Sequence, residues 1–175
     1  MRPNVEEGKK KATEHSALSG LNPRRRTTPT AVSYVSRIDD VLRQFSAETR
    51  VDLWRVIEDI RQERIGYDDA KAEITSVVER RQRLLRAVEE VEAPAPFAKV
   101  HALLTKSLRL SISDDQAIGR WAEATFARNT EPADHWWSVQ TALSVRATKT
   151  KAAFLEQYNQ LRRSLFGLRR LRIAY

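Results

Sequence analysis

"RIGYDDAKAEITSVVERRQRLLRAVEEVEAPAPFAKVHALL", residues 64–104, decides the fold class, because it holds two apolar stripes of helical period joined at a corner. Ala70, Ile74, Val77/Val78, Leu84/Leu85, Val88 and Val91 recur at three- and four-residue steps, which places them on one face of a helix. Asp68 and Asp69 suit the start of that helix, where carboxylates meet the positive end of the dipole. Gly66 just before them reads as the C-cap of a preceding helix. Pro94 and Pro96 cannot continue a helix, so "APAP" predicts a short, stiff corner. A new stripe then opens at Phe97, Val100/His101 and Leu104.

The same period extends in both directions. Upstream, Tyr34, Ile38, Val41/Leu42, Phe45, Leu53, Val56/Ile57 and Ile60 predict a helix over about 30–65, with Thr28 or Thr30 as N-cap, Pro29 near its start, and Ser46 and Thr49 as candidate kinks. Downstream, the third stripe continues through Leu108, Ile112, Ile118, Trp121/Ala122 and Phe126, and "RNTEPADH" supplies a stop and restart through Asn129 or Thr130 and Pro132. Trp136, Val139/Gln140, Leu143, Ala147, Thr150, Phe154, Tyr158, Leu161 and Leu165 form a fourth stripe. Helices over about 30–65, 67–92, 97–128 and 133–166 joined by short connections predict an all-α, up-down-up-down four-helix bundle.

Charge divides the chain differently. Of the net +8, residues 1–30 hold seven Lys/Arg against three Glu, and residues 160–175 hold five Arg and no acid. The intervening 31–159 carry 19 basic and 20 acidic side chains. Residues 1–29 have too little apolar surface to offset the entropy of ordering, so a disordered basic N-terminal arm is expected, with the bundle over 30–166 and a basic tail over 167–175. Lys9, Lys10, Lys11, Arg24, Arg25, Arg26, Arg162, Arg163, Arg169, Arg170 and Arg172 are the candidate polyanion contacts, for nucleic acid or an anionic membrane surface. Arg80, Arg81, Arg83 and Arg86 are interleaved with leucines and followed by glutamates, which predicts a solvated mixed-charge face.

Catalytic and metal chemistry find few donors. There is no cysteine, and His15, His101 and His135 stand in no metal-ligand or triad spacing; the five glycines form no phosphate loop. No catalytic residue, cofactor or metal is expected, and His101 reads as a boundary histidine beside the core. With no apolar leader and no run of about 20 apolar residues, a cytoplasmic location is expected. Ser111, Ser113 and Asp114 interrupt the third stripe opposite Ala147 and Thr150 of the fourth. Either a small polar cavity lies there, or the helices approach closely with Asp114 or Asp115 pairing outward to Arg146 or Lys149; the second is preferred.

The aromatic residues point to protein contacts. Trp136 and Trp137 are about 100° apart on a helix; the preferred reading is that both pack within the bundle, and the alternative is that one enters the core while the other covers the "APAP" corner or meets a partner. Trp54 poses the same choice beside Leu53. Phe166 and Ile173 lie off the fourth stripe, one heptad apart, and complete the candidate partner interface of Trp54, Trp136, Trp137, Phe166 and Ile173. Whether Gly167 stops the last helix decides between a basic helical end and a free arm.

Residues 31–94 resemble, in the spacing of Tyr34, Leu53, Trp54, Val56, Ile60, Ile65, Val77, Leu84, Leu85 and Val88, the paired amphipathic helix modules of transcriptional corepressors, and depart from them at Val91 and Ala93. That resemblance implies binding of an amphipathic helix. "LLRAVEEVEAPAPFAKVHALLTKSLRLS" and "KAAFLEQYNQLRR" are similar to uncharacterised helical-bundle proteins and lipoproteins of actinobacterial type, which implies a fold and no activity. The expected function is non-enzymatic: a bundle acting through protein contacts, as homo-oligomer or adaptor, with nucleic-acid or anionic-membrane binding through the basic ends as the alternatives.

Overall fold

A computed structural model describes residues 29–46 and 51–167. The described chain is all-α: α1 (Pro29–Ser46), α2 (Val51–Arg61), α3 (Tyr67–Glu89), a 3-10 turn (Ala95–Phe97), α4 (Ala98–Phe126) and α5 (Thr130–Phe166), with no strand among the described residues. The helix expected over 30–65 is two helices, α1 and α2. The segment that carries the candidate kink at Thr49 lies outside the described residues, as do residues 1–28 of the expected arm over 1–29 and 168–175 of the expected tail over 167–175.

Each helix ends for a local reason. Gly66 is not the C-cap that the sequence suggested; its extended backbone (φ −78°, ψ 163°) leads into α3. The left-handed position after α2 belongs to Glu63 (φ 53°). Its N–H bonds the Ile60 carbonyl at 3.1 Å and that of Arg64 bonds the Asp59 carbonyl at 2.8 Å, the paired bonds of a Schellman turn. Arg128 (φ 53°) ends α4 in the same way, with bonds from Arg128 to Thr125 and from Asn129 to Ala124. The "APAP" corner is borne out: Pro94 is extended, and the Phe97 N–H bonds its carbonyl at 2.7 Å to close the 3-10 turn. Pro132 falls in the first turn of α5, where no intrahelical donor is needed. Gly167 ends α5 in the left-handed conformation (φ 63°).

The core is two apolar clusters stacked along the molecule. The first joins Tyr34, Val35, Ile38 and Leu42 of α1 to Leu84 and Val88 of α3, Phe97, Val100 and Leu104 around the corner, and Phe154, Leu155 and Tyr158 of α5. The second joins Leu53, Val56, Ile57 and Ile60 of α2 to Ala70, Ile74 and Val77 of α3 and Ile118, Trp121 and Ala122 of α4. Helices α3, α4 and α5 therefore run the length of both clusters, whereas α1 belongs to the first and α2 to the second. In the first cluster Phe154 stacks on Tyr158 (centroids 5.2 Å apart), so Phe154→Ala should cost about 3–5 kcal/mol.

Buried polar groups tie the layers together. Asp39 of α1 accepts the Tyr158 hydroxyl at 2.8 Å and Arg162 Nη2 at 2.6 Å, both from α5. His101 shares a 3.2 Å hydrogen bond with the Tyr34 hydroxyl, and burial lowers its pKa below the usual imidazole range.

Candidate functional site

Between the two clusters lies a polar layer. Asp115 of α4 is fully buried and accepts a 2.6 Å bond from Arg81 Nη1 of α3, which also donates to the Ser111 carbonyl at 3.1 Å. The neighbouring Asp114 lies near Gln140 and Ser144 of α5, whose polar side chains favour its charged form. Asp114 Oδ1 and Asp115 Oδ2 have no hydrogen-bond partner. Burial pushes the Asp115 carboxyl up to about 7, with the Asp114 charge adding and Arg81 opposing; burial raises Asp114 as well. The expected outward pairing with Arg146 or Lys149 is therefore replaced by inward pairing across α3 and α5. Arg81 is correspondingly half-buried and paired rather than solvated, while Arg83 and Arg86 are exposed. Ser113 and Thr150 bond carbonyls of their own helices, at Arg109 and Arg146. Among the described residues no group of three His, Cys, Asp or Glu side chains could hold a metal ion.

Beside the second cluster, α3, α4 and α5 enclose an open groove of about 740 Å³. Ala117, Gly119 and Ala122 of α4, Ile74 and Val78 of α3, and Trp136, Val139 and Leu143 of α5 give it an apolar lining. Tyr67, Lys71, Thr75, Ser113, Gln116, Arg120 and Glu123 supply its polar groups. The small residues of α4 leave the space: a methyl at Gly119 would touch Ile74 Cγ2 at 3.6 Å, and nothing closer. Val78, Val139 and Leu143 are half-buried and pack into neither core cluster. Val139 and Leu143, which fell on the fourth apolar stripe, thus face this groove. The span from Ser113 to Glu123 on α4 makes it about 15 Å long, three turns of helix.

The candidate partner residues separate. Trp54 is 57% exposed on α2. Trp136 and Trp137 are both half-buried against the second cluster, in keeping with the preferred reading of both as bundle packing, and lie at the opposite end from the "APAP" corner. Trp137 lies 5.3 Å from Trp121, with the Arg61 guanidinium 4.4 Å above its ring, and Trp136 lines the groove. Phe166 packs against the first cluster instead of presenting a free face. Arg162 is only 8% exposed and bound to Asp39, so it is no polyanion contact; Arg163 is exposed at the end of α5. Ile173, Lys9, Lys10, Lys11, Arg24, Arg25, Arg26, Arg169, Arg170 and Arg172 lie outside the described residues.

Placed on the clusters, the charges are polarised along the molecule. Residues 51–79 and 114–143, the half around the second cluster and the groove, hold 13 acidic and six basic side chains, a net of −7. Residues 80–113 and 144–167, around the first cluster, hold 12 basic and four acidic, a net of +8. Helix α1 adds none, with two of each sign. Its start and the end of α5 both pack at the first cluster, so the basic termini attach to the basic half. No helix of the described residues is long and apolar enough to cross a membrane. No protein-family model, curated protein or solved structure matches the chain.

Proposed function

We propose that this chain is a non-enzymatic interaction protein of the cytoplasm, an up-down-up-down four-helix bundle in which α1 and α2 together form one arm. Its working surface is the groove over α4, and its ligand is an amphipathic segment of a protein. The observation that supports this is the trio Val78, Val139 and Leu143: large aliphatic side chains that line a groove and join neither core cluster. Half-buried apolar surface lining a groove marks contact sites, and a groove about 15 Å long matches the i, i+4, i+7 anchors by which amphipathic helices bind.

The test is Leu143→Glu, which sets a charge in the groove without entering either core cluster. Its circular dichroism and melting temperature should match the wild type. Its protein contacts, read as self-association in sedimentation and as capture of partners, should fall at least about tenfold, since a buried uncompensated charge is strongly unfavourable. Wild-type contacts in this variant would refute the groove. Binding to DNA or anionic vesicles at low salt that carries all association and ignores Leu143→Glu would favour the basic ends instead.

A further inference from the structure

We infer that the groove receives residues 168–175, "LRRLRIAY", of a second copy of this chain. The inference rests on the groove being a protein-binding surface and names its occupant.

Three observations lead there. The first is charge. The half of the molecule that carries the groove has a net charge of −7, although the lining itself holds Lys71 and Arg120 beside Glu123, and the eight-residue segment brings three arginines and no acid. The second is composition. Leu168, Leu171, Ile173 and Tyr175 interleave with Arg169, Arg170 and Arg172, so apolar and cationic groups arrive together, as a groove with Val78, Val139 and Leu143 on its walls requires. The N-terminal 28 residues have a similar net charge, but Val5, Leu18 and Leu21 are their only large aliphatic residues and stand apart from the Lys9–Lys11 and Arg24–Arg26 clusters.

The third is reach, and it selects a second copy. Helix α5 runs unbroken from the groove to Gly167, and Leu143, its groove residue nearest that end, is about 36 Å from Gly167 along the axis. Eight residues extended to the full span at most about 28 Å. The segment therefore cannot return to its own groove, whereas the groove of a neighbouring molecule is open to it. Two molecules side by side in opposite directions place each basic half against an acidic half, and mutual exchange of the segments closes the pair with two-fold symmetry.

The test compares the full chain with a chain lacking 168–175, and titrates a labelled peptide of residues 166–175 into the shortened chain. The full chain should sediment as a dimer at low salt and the shortened one as a monomer. The peptide should bind the shortened chain, about tenfold more weakly once added salt brings the Debye length well below 10 Å. Leu143→Glu should weaken the peptide at least about tenfold. Glu123→Lys, at an exposed site whose partner in the ion pair is Arg120, should weaken it several-fold. A peptide that fails to bind, or that binds both variants as tightly as the parent, overturns the inference. If the shortened chain still dimerises and Leu143→Glu abolishes that, the occupant is wrong and the groove reading stands. If Leu143→Glu alters association of neither chain, both fail.

Discussion

Asp115 has lost its water and gained one cation, Arg81, in return. Burial outweighs that cation and raises its carboxyl to about 7 from an ordinary value near 3.8. Between those two values the folded chain holds a proton that the unfolded chain releases, so stability falls as pH rises across the window and is level above it. The loss should be on the order of 4 kcal/mol, and Asp115→Asn should remove it. His101 acts in the other direction: burial lowers it, so its contribution is lost as pH falls below the ordinary imidazole value. Urea unfolding of wild type and Asp115→Asn at matched pH cancels the histidine; a wild type that gains on the variant as pH rises would show Arg81 dominating. Asp39 is the contrasting case, with both carboxylate oxygens bonded, to Tyr158 and Arg162. Asp39→Ala should cost about 3–5 kcal/mol in chemical denaturation, because the Arg162 charge stays buried without its carboxylate. An unchanged midpoint would mean that Arg162 reaches water when Asp39 is gone.

At the level of elements, the apolar stripes were legible in the sequence because burial of a helix face leaves a period of 3.6 residues: Ile38, Val88, Leu104 and Phe154 all fall on a stripe and are all buried. The ends were less legible. Gly66 carries the residue type of a C-cap, but its extended backbone any residue can adopt, and Glu63 takes the left-handed position that favours glycine. A lone sequence shows no trace of that, because the paired backbone bonds to Asp59 and Ile60 hold the turn against the preference of the side chain. Glu63→Gly should therefore stabilise the protein by about 0.5–1 kcal/mol in thermal or urea unfolding. A loss would show that the Glu63 side chain contributes more than its backbone strain costs. The groove was hidden for a related reason. Val139 and Leu143 keep the helical period, and periodicity does not distinguish a face turned to the core from one turned to an open groove. Arg81 was obscured likewise: its neighbours in sequence are charged, and its partner Asp115 is 34 residues away.

Over the whole molecule, the sequence divides charge into basic ends and a neutral middle, and folding redistributes it. The passage of α3, α4 and α5 along both clusters gathers alternating acidic and basic blocks into two halves, net −7 and +8, with the basic residues of 1–28 and 168–175 joined in sequence to the positive half. Attraction between halves acts over about 28 Å between their centres, half the length of α5 and about three Debye lengths at moderate salt, whereas repulsion between neighbouring charges within each half acts over distances near one. Exposed pairs such as Arg55–Glu73 and Arg109–Glu89 offset this by about 0–1 kcal/mol each. Repulsion within the halves should win, so added salt should raise the melting temperature by a few degrees at a protein concentration low enough to hold the chain monomeric. The same salt should weaken any association that sets a basic half against an acidic one, since that contact brings opposite charges within a Debye length. Calorimetry and sedimentation across one salt series should thus move in opposite directions. A melting temperature that falls as salt is added would mean that the local ion pairs outweigh the segregation of charge, and the polarity of the molecule would then be a stabilising feature of the monomer.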